Sequence, residues 1–133
     1  MNLHCALGDW KERVDVVLGE IIRREPDVIG LQEVCKNKNA DMTGYILSEL
    51  TRNKYPVKSW KTIETHRSFI SYQEELLIVS RHEATENFSG SIPSVKFFEN
   101  KFVGLKINGM WFVTTHLHFA LPSVRNAQYK TLD

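Results

Sequence analysis

Three stretches of the 133-residue sequence place carboxylates or histidines at the ends of apolar, strand-like runs. Glu33 follows the first run, Glu74 and Glu75 precede the second, and His116 and His118 follow the third. A carboxylate at a strand end is well placed to hold a hard divalent ion, which polarises a phosphoryl oxygen. A histidine oriented by a second carboxylate can shuttle a proton or donate to a phosphate. These residue types together indicate metal-assisted hydrolysis of a phosphate ester.

Each of these residues also has an ordinary structural interpretation. A glutamate at a strand end is commonly solvated, and a histidine near the surface is commonly a satisfied hydrogen-bonding residue. His116 and His118 could ligate zinc, because residues two apart on a strand point the same way, but the sequence offers no third ligand at a matching distance. Arg125 and Gln128 share a face of the predicted last helix, where solvation is their ordinary role.

The elements that position these residues start with a helix over residues 9–24. Its apolar residues recur at helical spacing: Trp10, Val14, Val17, Leu18, Ile21 and Ile22. Asp9 is the expected N-cap, and Pro26 ends the helix because the residue before a proline is pushed out of the helical region. The apolar run over residues 28–31 then predicts a strand covered on both faces, with Glu33 at its carboxyl end.

A second helix is predicted over residues 41–52, and short strands over residues 57–64, 68–72 and 76–80. Asn108-Gly109, between β-rich runs, predicts a two-residue type I′ turn and an antiparallel hairpin that ends at His116. A last helix is predicted from Pro122. The pattern as a whole indicates a layered α/β or α+β domain.

The bulk composition limits the classes of protein that the chain can represent. The chain is 42% hydrophobic and 25% charged, with a net charge of +1, which suits one ordinary domain with its own core. This balance gives no electrostatic reason to expect nucleic acid or an anionic membrane as partner. No apolar run approaches the roughly 18 to 20 residues that span a bilayer.

The beginning of the sequence and its two cysteines bear on the compartment. No basic region followed by an apolar one stands at the start, so we expect no signal peptide within the chain and a cytoplasmic location by default. Cys5 and Cys35 have no metal-ligand spacing. Two buried thiols are the default expectation, and a single disulfide is the alternative.

Five blocks of the sequence, taken in order, resemble the endonuclease/exonuclease/phosphatase superfamily. They are Asn2-Leu3-His4, Trp10 with Arg13, residues 26–34, residues 74–81, and Thr115-His116-Leu117 with residues 125–128. The resemblance implies a four-layer α/β sandwich of two packed mixed sheets with helices outside. It also implies hydrolysis of phosphodiesters or phosphomonoesters with Mg²⁺ or Mn²⁺. The substrate could be nucleic acid, a phospholipid headgroup or a sugar phosphate.

The resemblance also implies roles for particular residues of the site. Glu33 is similar to the family's metal-binding glutamate, and Asn2 to the asparagine on the first strand that supports the site. Glu74 resembles the glutamate that orients the active-site histidine in the deoxyribonuclease-like branch, and His116 resembles that histidine.

Three further positions carry a weaker expectation from the same resemblance. Tyr72 and Arg125 resemble residues that contact substrate. Glu75 stands where many members have a glycine, which leaves its role open.

The sequence departs from the family pattern by lacking a Gly-Asp-x-Asn block and a terminal Ser-Asp-His block. Residues 1–133 therefore resemble the N-terminal half of the domain, a mostly antiparallel mixed sheet with helices on its outer face. We expect little turnover without the water-activating Asp-His pair.

Half of a sandwich is also expected to expose an apolar sheet face, lined by residues such as Leu105 and Phe112, which self-association or a complementing C-terminal half would cover. The alternative function is a non-catalytic remnant or interaction module that binds a partner through that sheet.

Overall fold

Two antiparallel sheets and two helices make up the described part of the chain, residues 1–5, 8–67, 72–92 and 100–116 of a computed structural model. The helices are α1 (Trp10–Arg24) and α2 (Met42–Arg52). The strands are β1 (Val28–Asn37), β2 (Ala40–Asp41), β3 (Ser59–Arg67), β4 (Gln73–Ser80), β5 (Glu86–Ile92), β6 (Asn100–Ile107) and β7 (Met110–Thr115). One sheet has the strand order β2-β1-β4-β3 and the other β5-β6-β7, and all neighbouring strands are antiparallel. The combination of sheets and helices confirms the predicted α/β or α+β fold class.

Local signals explain where the helices begin and end. The Asp9 carboxylate accepts a hydrogen bond from the backbone N–H of Glu12, and Asp41 caps α2 in the same way through Gly44. Glu25, in the left-handed conformation, closes α1 just before Pro26. The first two predicted helices are therefore confirmed.

The predicted hairpin is also confirmed. β6 and β7 pair from Ile107 with Met110 to Phe102 with Thr115. Asn108 and Gly109 have φ of 51° and 80°, which a type I′ turn requires and which asparagine and glycine adopt most readily.

β4 is central because both of its faces are buried. Leu77 and Val79 join the helix-side core, which α1, α2 and β1 complete. Leu76 and Ile78 point the other way, into an intersheet core. That intersheet core consists of Leu76, Ile78, Val103, Leu105 and Ile107. Burial on both faces explains why residues 76–79 of β4 are all apolar.

The expectation of an uncovered inner sheet face is wrong for the described residues. Leu105 is only 2% exposed, and Phe112 packs against the intersheet core. The reason is that the chain itself supplies strands to both sheets, so each covers the other. That face therefore gives no reason to expect self-association. Trp111 and Val113, each 44% exposed, lie on the opposite, outer face of the three-stranded sheet.

Several predicted boundaries need correction. β1 does not end at Glu33 but continues to Asn37, since its later residues pair with β4 and β2. The strand predicted over residues 57–64 runs over Ser59–Arg67, and β5 was not predicted. Residues 68–71 of another predicted strand and the helix predicted from Pro122 lie outside the described residues.

The default expectation of two thiols is wrong, because Cys5 and Cys35 form a disulfide. Residues 1–5 run alongside β1 through a parallel bridge between Asn2 and Gln32. This places the two Cα atoms 5.0 Å apart, a separation usual for a disulfide. Among the described residues, neither helix is long and apolar enough to cross a membrane.

The packing of the two sheets predicts a large difference between two substitutions on the same hairpin. Leu105→Ala removes a buried side chain and should lower the free energy of unfolding by about 2–5 kcal/mol. Val113→Ala, on the outer face, should change it by less than about 0.5 kcal/mol. Urea unfolding followed by circular dichroism gives both values. Equal effects of the two substitutions would mean that the sheets do not pack as described.

Candidate active site

A bulge in β1 turns Glu33 toward the second sheet. The pairing of β1 with β4 shifts between Leu31 and Val34, and Glu33 has a left-handed φ of 53°. In a regular strand, Gln32 and Glu33 would point to opposite faces. Here both reach the end of β7, because the bulge changes the direction of one side chain. Gln32 Nε2 donates to the Thr115 carbonyl oxygen at 2.6 Å, and Glu33 Oε1 lies 3.8 Å from His116 Nε2.

Asn2 holds the Glu33 carboxylate through the same oxygen atom that lies nearest His116. Residues 1–5 pair with β1 through the Leu3 N–H, which donates to the Gln32 carbonyl oxygen at 2.9 Å. Asn2 Nδ2 then donates to Glu33 Oε1 at 2.6 Å, and Asn2 Oδ1 accepts from the His4 N–H at 2.8 Å. The amide is thus fixed at both ends, and it fixes one oxygen of the carboxylate.

A glycine lets the end of β7 come close to β1. A Cβ added at Gly30 would lie 3.1 Å from the Cβ and Oγ1 atoms of Thr114. Few real Cβ atoms approach a neighbour so closely, so a larger residue would push the strands apart. Gly30 therefore helps to bring His116, two residues after Thr114, to Glu33.

His116 lies between two carboxylates. Its Nδ1 atom is 3.9 Å from Glu74 Oε1, and its Nε2 atom is 3.8 Å from Glu33 Oε1. These are ion-pair separations, longer than hydrogen bonds. The interaction with Glu74 raises the pKa of the imidazole, the charge of Glu33 raises it further, and burial of the ring acts against both. Without a bound ion, the site therefore favours the protonated ring more than water does.

Glu74 and Glu75 project from opposite faces of β4, as consecutive residues of a strand do. Glu74 faces the candidate site, where its Oε1 atom lies 3.3 Å from the Thr65 hydroxyl oxygen. Glu75 faces α2, where its Oε2 atom accepts from the Thr43 hydroxyl at 3.0 Å and its Oε1 atom from Gln73 Nε2 at 3.0 Å. Glu75 therefore links α2 to the sheet rather than lining the site.

The structure thus brings together four of the six predicted site residues: Asn2, Glu33, Glu74 and His116. Tyr72 is partly buried and packs against the helix-side core. Arg125 lies outside the described residues, as do His118 and Gln128.

Two residues of the site were missed as functional candidates. His4 Nδ1 lies 3.8 Å from Glu33 Oε2, opposite His116, and the His4 side chain is largely exposed. Gln32 joins β1 to β7 through its bond to Thr115. Both residues belong to blocks of the family resemblance, but nothing in their own spacing marks them, because the parallel pairing and the bulge decide their positions.

The fit of a metal ion depends on Glu33. Its side chain is 21% exposed, so the carboxylate is accessible beside His4 and His116. In the part of the chain that the structure describes, no three His, Cys, Asp or Glu residues converge as a ready-made ligand set. Mg²⁺ commonly takes one or two carboxylates and fills its remaining positions with water and phosphate oxygens. Glu33 fits that mode of binding.

The fold is similar to those of two solved structures. One is an endonuclease/exonuclease/phosphatase family protein from Leptotrichia buccalis C-1013-b, with a TM-score of 0.74 and 18% identity over 98% of this chain and 58% of that one. The other is TDP2 from C. elegans, with a TM-score of 0.61 and 16% identity over 99% of this chain and 39% of that one. No protein-family model and no curated protein matches the sequence.

These likenesses concern the fold. The chain spans less than two thirds of the length of either protein. The described part of the chain thus has a fold similar to part of an endonuclease/exonuclease/phosphatase family protein, as the resemblance predicted.

The two carboxylates around His116 predict how its titration responds to substitution. In the wild-type protein, the pKa of His116 should lie above the value of about 6.5 found for free histidine. Glu74→Gln should lower it, because the neutral amide no longer favours the imidazolium. NMR titration of the ring proton signals measures both values. Glu75→Gln, on the opposite face of β4, is the matched control and should leave the titration unchanged.

The same shift makes stability depend on pH. A pKa that is higher in the folded protein means that His116 contributes its full stabilisation below the unfolded pKa and loses it as pH rises through the folded value. The stability difference between wild type and Glu74→Gln should therefore shrink from pH 5 toward pH 9. A difference that grows with pH would contradict the assignment.

Proposed function

We propose that residues 1–133 form the N-terminal half of a phosphoesterase domain that depends on Mg²⁺ or Mn²⁺. The observation that carries this proposal is the meeting of Asn2, Glu33 and His116, from three separate segments, with Glu74 behind the histidine. The likeness of the fold to an endonuclease/exonuclease/phosphatase family protein supports the same class of chemistry.

Each residue has a distinct role in the proposed reaction. Glu33 holds the divalent ion, and Asn2 fixes the orientation of the Glu33 carboxylate. When bound, the ion supplies positive charge that polarises a phosphoryl oxygen. The ring of His116 can donate a hydrogen bond to a phosphate oxygen. Glu74 orients that ring through its Nδ1 side.

The proposed substrate is a phosphodiester or phosphomonoester carried by nucleic acid, a phospholipid headgroup or a sugar phosphate. The net charge of +1 argues mildly against tight DNA binding, which depends strongly on basic side chains. Arg125 and Tyr72 are the proposed substrate contacts, and Tyr72 is the weaker of the two because it packs against the helix-side core.

One observation still supports the alternative function, a non-catalytic interaction module. The inner sheet face is buried, but the outer face of the three-stranded sheet exposes Trp111 and Val113. An exposed apolar pair on a sheet can contact a partner. It does not account for the convergence of Asn2, Glu33 and His116, so we favour the phosphoesterase.

Ion binding tests the proposed role of Glu33. Mn²⁺ should bind the wild-type chain and broaden the NMR signals of His116, whose ring lies beside Glu33. Glu33→Gln should weaken Mn²⁺ binding at least about 10-fold, and Asn2→Ala by a similar factor through the loss of orientation. Isothermal titration calorimetry gives the dissociation constants.

Glu75→Gln is the matched control for this titration, since it removes a carboxylate that faces α2 instead of the site. It should leave Mn²⁺ affinity unchanged. The same affinity in Glu33→Gln as in the wild type would refute the assignment of the ion site.

Turnover by the 133-residue chain alone should be very low. The sequence contains no Ser-Asp-His block, and loss of general-base catalysis typically costs about 10²- to 10⁴-fold. Hydrolysis of bis(p-nitrophenyl) phosphate with Mg²⁺ should stay near background. Rapid Mg²⁺-dependent hydrolysis that Glu33→Ala abolishes would show that the half domain is catalytically sufficient.

A further inference from the structure

The disulfide joins the same two segments that meet at the candidate ion site. Cys5 lies three residues after Asn2, and Cys35 lies two residues after Glu33. Between these links, the Cys5 N–H donates to the Glu33 carbonyl oxygen at 3.0 Å. The Cys5–Cys35 disulfide and the hydrogen bond from Asn2 to Glu33 therefore join residues 2–5 to residues 33–35 in one small ring of contacts around the bulge.

The backbone around this ring is held in an unfavourable conformation. His4, Cys5 and Glu33 have φ of 54°, 51° and 53°, in the left-handed region that residues other than glycine rarely occupy. Such residues persist where the surrounding structure holds them in place. All three of these residues lie on the two chain segments that the disulfide joins. This indicates that the disulfide helps to hold their backbone in the left-handed conformation.

Hydrogen bonds also attach residues 1–5 to β1, and two of them join Met1 to the β1 backbone. Leu3 is buried and donates its N–H to Gln32, and Arg13 Nη2 donates to the Cys5 carbonyl oxygen at 2.9 Å. Two thiols also need more room than one disulfide, and both cysteines are at most 6% exposed. Cleavage of the bond therefore removes the covalent link and crowds the two sulfur atoms, which weakens the hold of these hydrogen bonds on residues 1–5.

We propose that the Cys5–Cys35 disulfide is a redox-sensitive device that holds Asn2 against Glu33, so that its reduction opens residues 1–5 and weakens divalent-ion binding. The part that concerns the ion rests on the proposed function. A dithiol is the reductant: one of its thiolates attacks a sulfur of the disulfide, and the second thiolate resolves the mixed disulfide. Two electrons and two protons pass from the dithiol to the protein, so Cys5 and Cys35 become thiols and the dithiol becomes a cyclic disulfide.

Amide hydrogen exchange tests the opening without any ion. The oxidised chain is compared with the chain reduced by dithiothreitol and with the double variant Cys5→Ala/Cys35→Ala. Reduction should speed exchange of the Leu3 amide at least about 10-fold, while the amides of the β6–β7 hairpin keep their rates and show that the fold persists. Dithiothreitol should not change the double variant further. An unchanged Leu3 rate in the reduced chain overturns the proposal.

Mn²⁺ titration of the same samples, after anaerobic removal of the reductant, tests the link to the site. The oxidised chain should bind Mn²⁺ at least about 10-fold more tightly than the reduced chain or the double variant. If the Leu3 amide exchanges faster but Mn²⁺ affinity is the same in all samples, the link to ion binding is overturned. If the oxidised chain binds no Mn²⁺, the proposed function fails, and the exchange rates still decide whether the disulfide holds residues 1–5.

Discussion

The bulge at Glu33 is the constraint on which the candidate site depends. A regular β1 would turn this carboxylate to the helix-side core, where a charged group would lose its water without gaining a partner. The extra residue in the strand lets Gln32 and Glu33 both reach the end of β7. The left-handed φ of Glu33 disfavours this arrangement locally, and the contacts of Asn2 offset that cost.

The two cores give the bulge a rigid frame. β4 pairs with β1 on one side and β3 on the other, and its side chains fill the helix-side core and the intersheet core alternately. Glu74 and Glu75 continue this alternation at the polar end of the strand, so one carboxylate faces His116 and the other faces α2. The directions of these two carboxylates therefore follow from the same two-residue alternation of strand side chains that fills the two cores.

The sequence predicts those elements whose signals are local. Asp9 and Asp41 cap the helices through their own first turns, and Asn108-Gly109 sets the hairpin by its backbone preferences. Both types of signal act over a few residues, so they can be read without knowledge of the fold.

The features that escaped prediction depend on contacts distant in sequence. β5 carries two large apolar residues, Phe88 and Ile92, among polar and small ones, and it forms by pairing with β6. The bulge depends on the pairing of β1 with β4, and the disulfide depends on the parallel approach of residues 1–5 to β1. The family resemblance supplied the four residues that converge, but the bulge that joins them is visible only in three dimensions.

A crystal structure of the oxidised chain with Mn²⁺, with the ion located by its anomalous scattering, tests the central claim most directly. The account predicts an anomalous peak within bonding distance of the Glu33 carboxylate, with β1 bulged between Leu31 and Val34 and Asn2 still bonded to Glu33. A regular β1 with Glu33 turned toward the helices, or an ion bound elsewhere with none at Glu33, would contradict it.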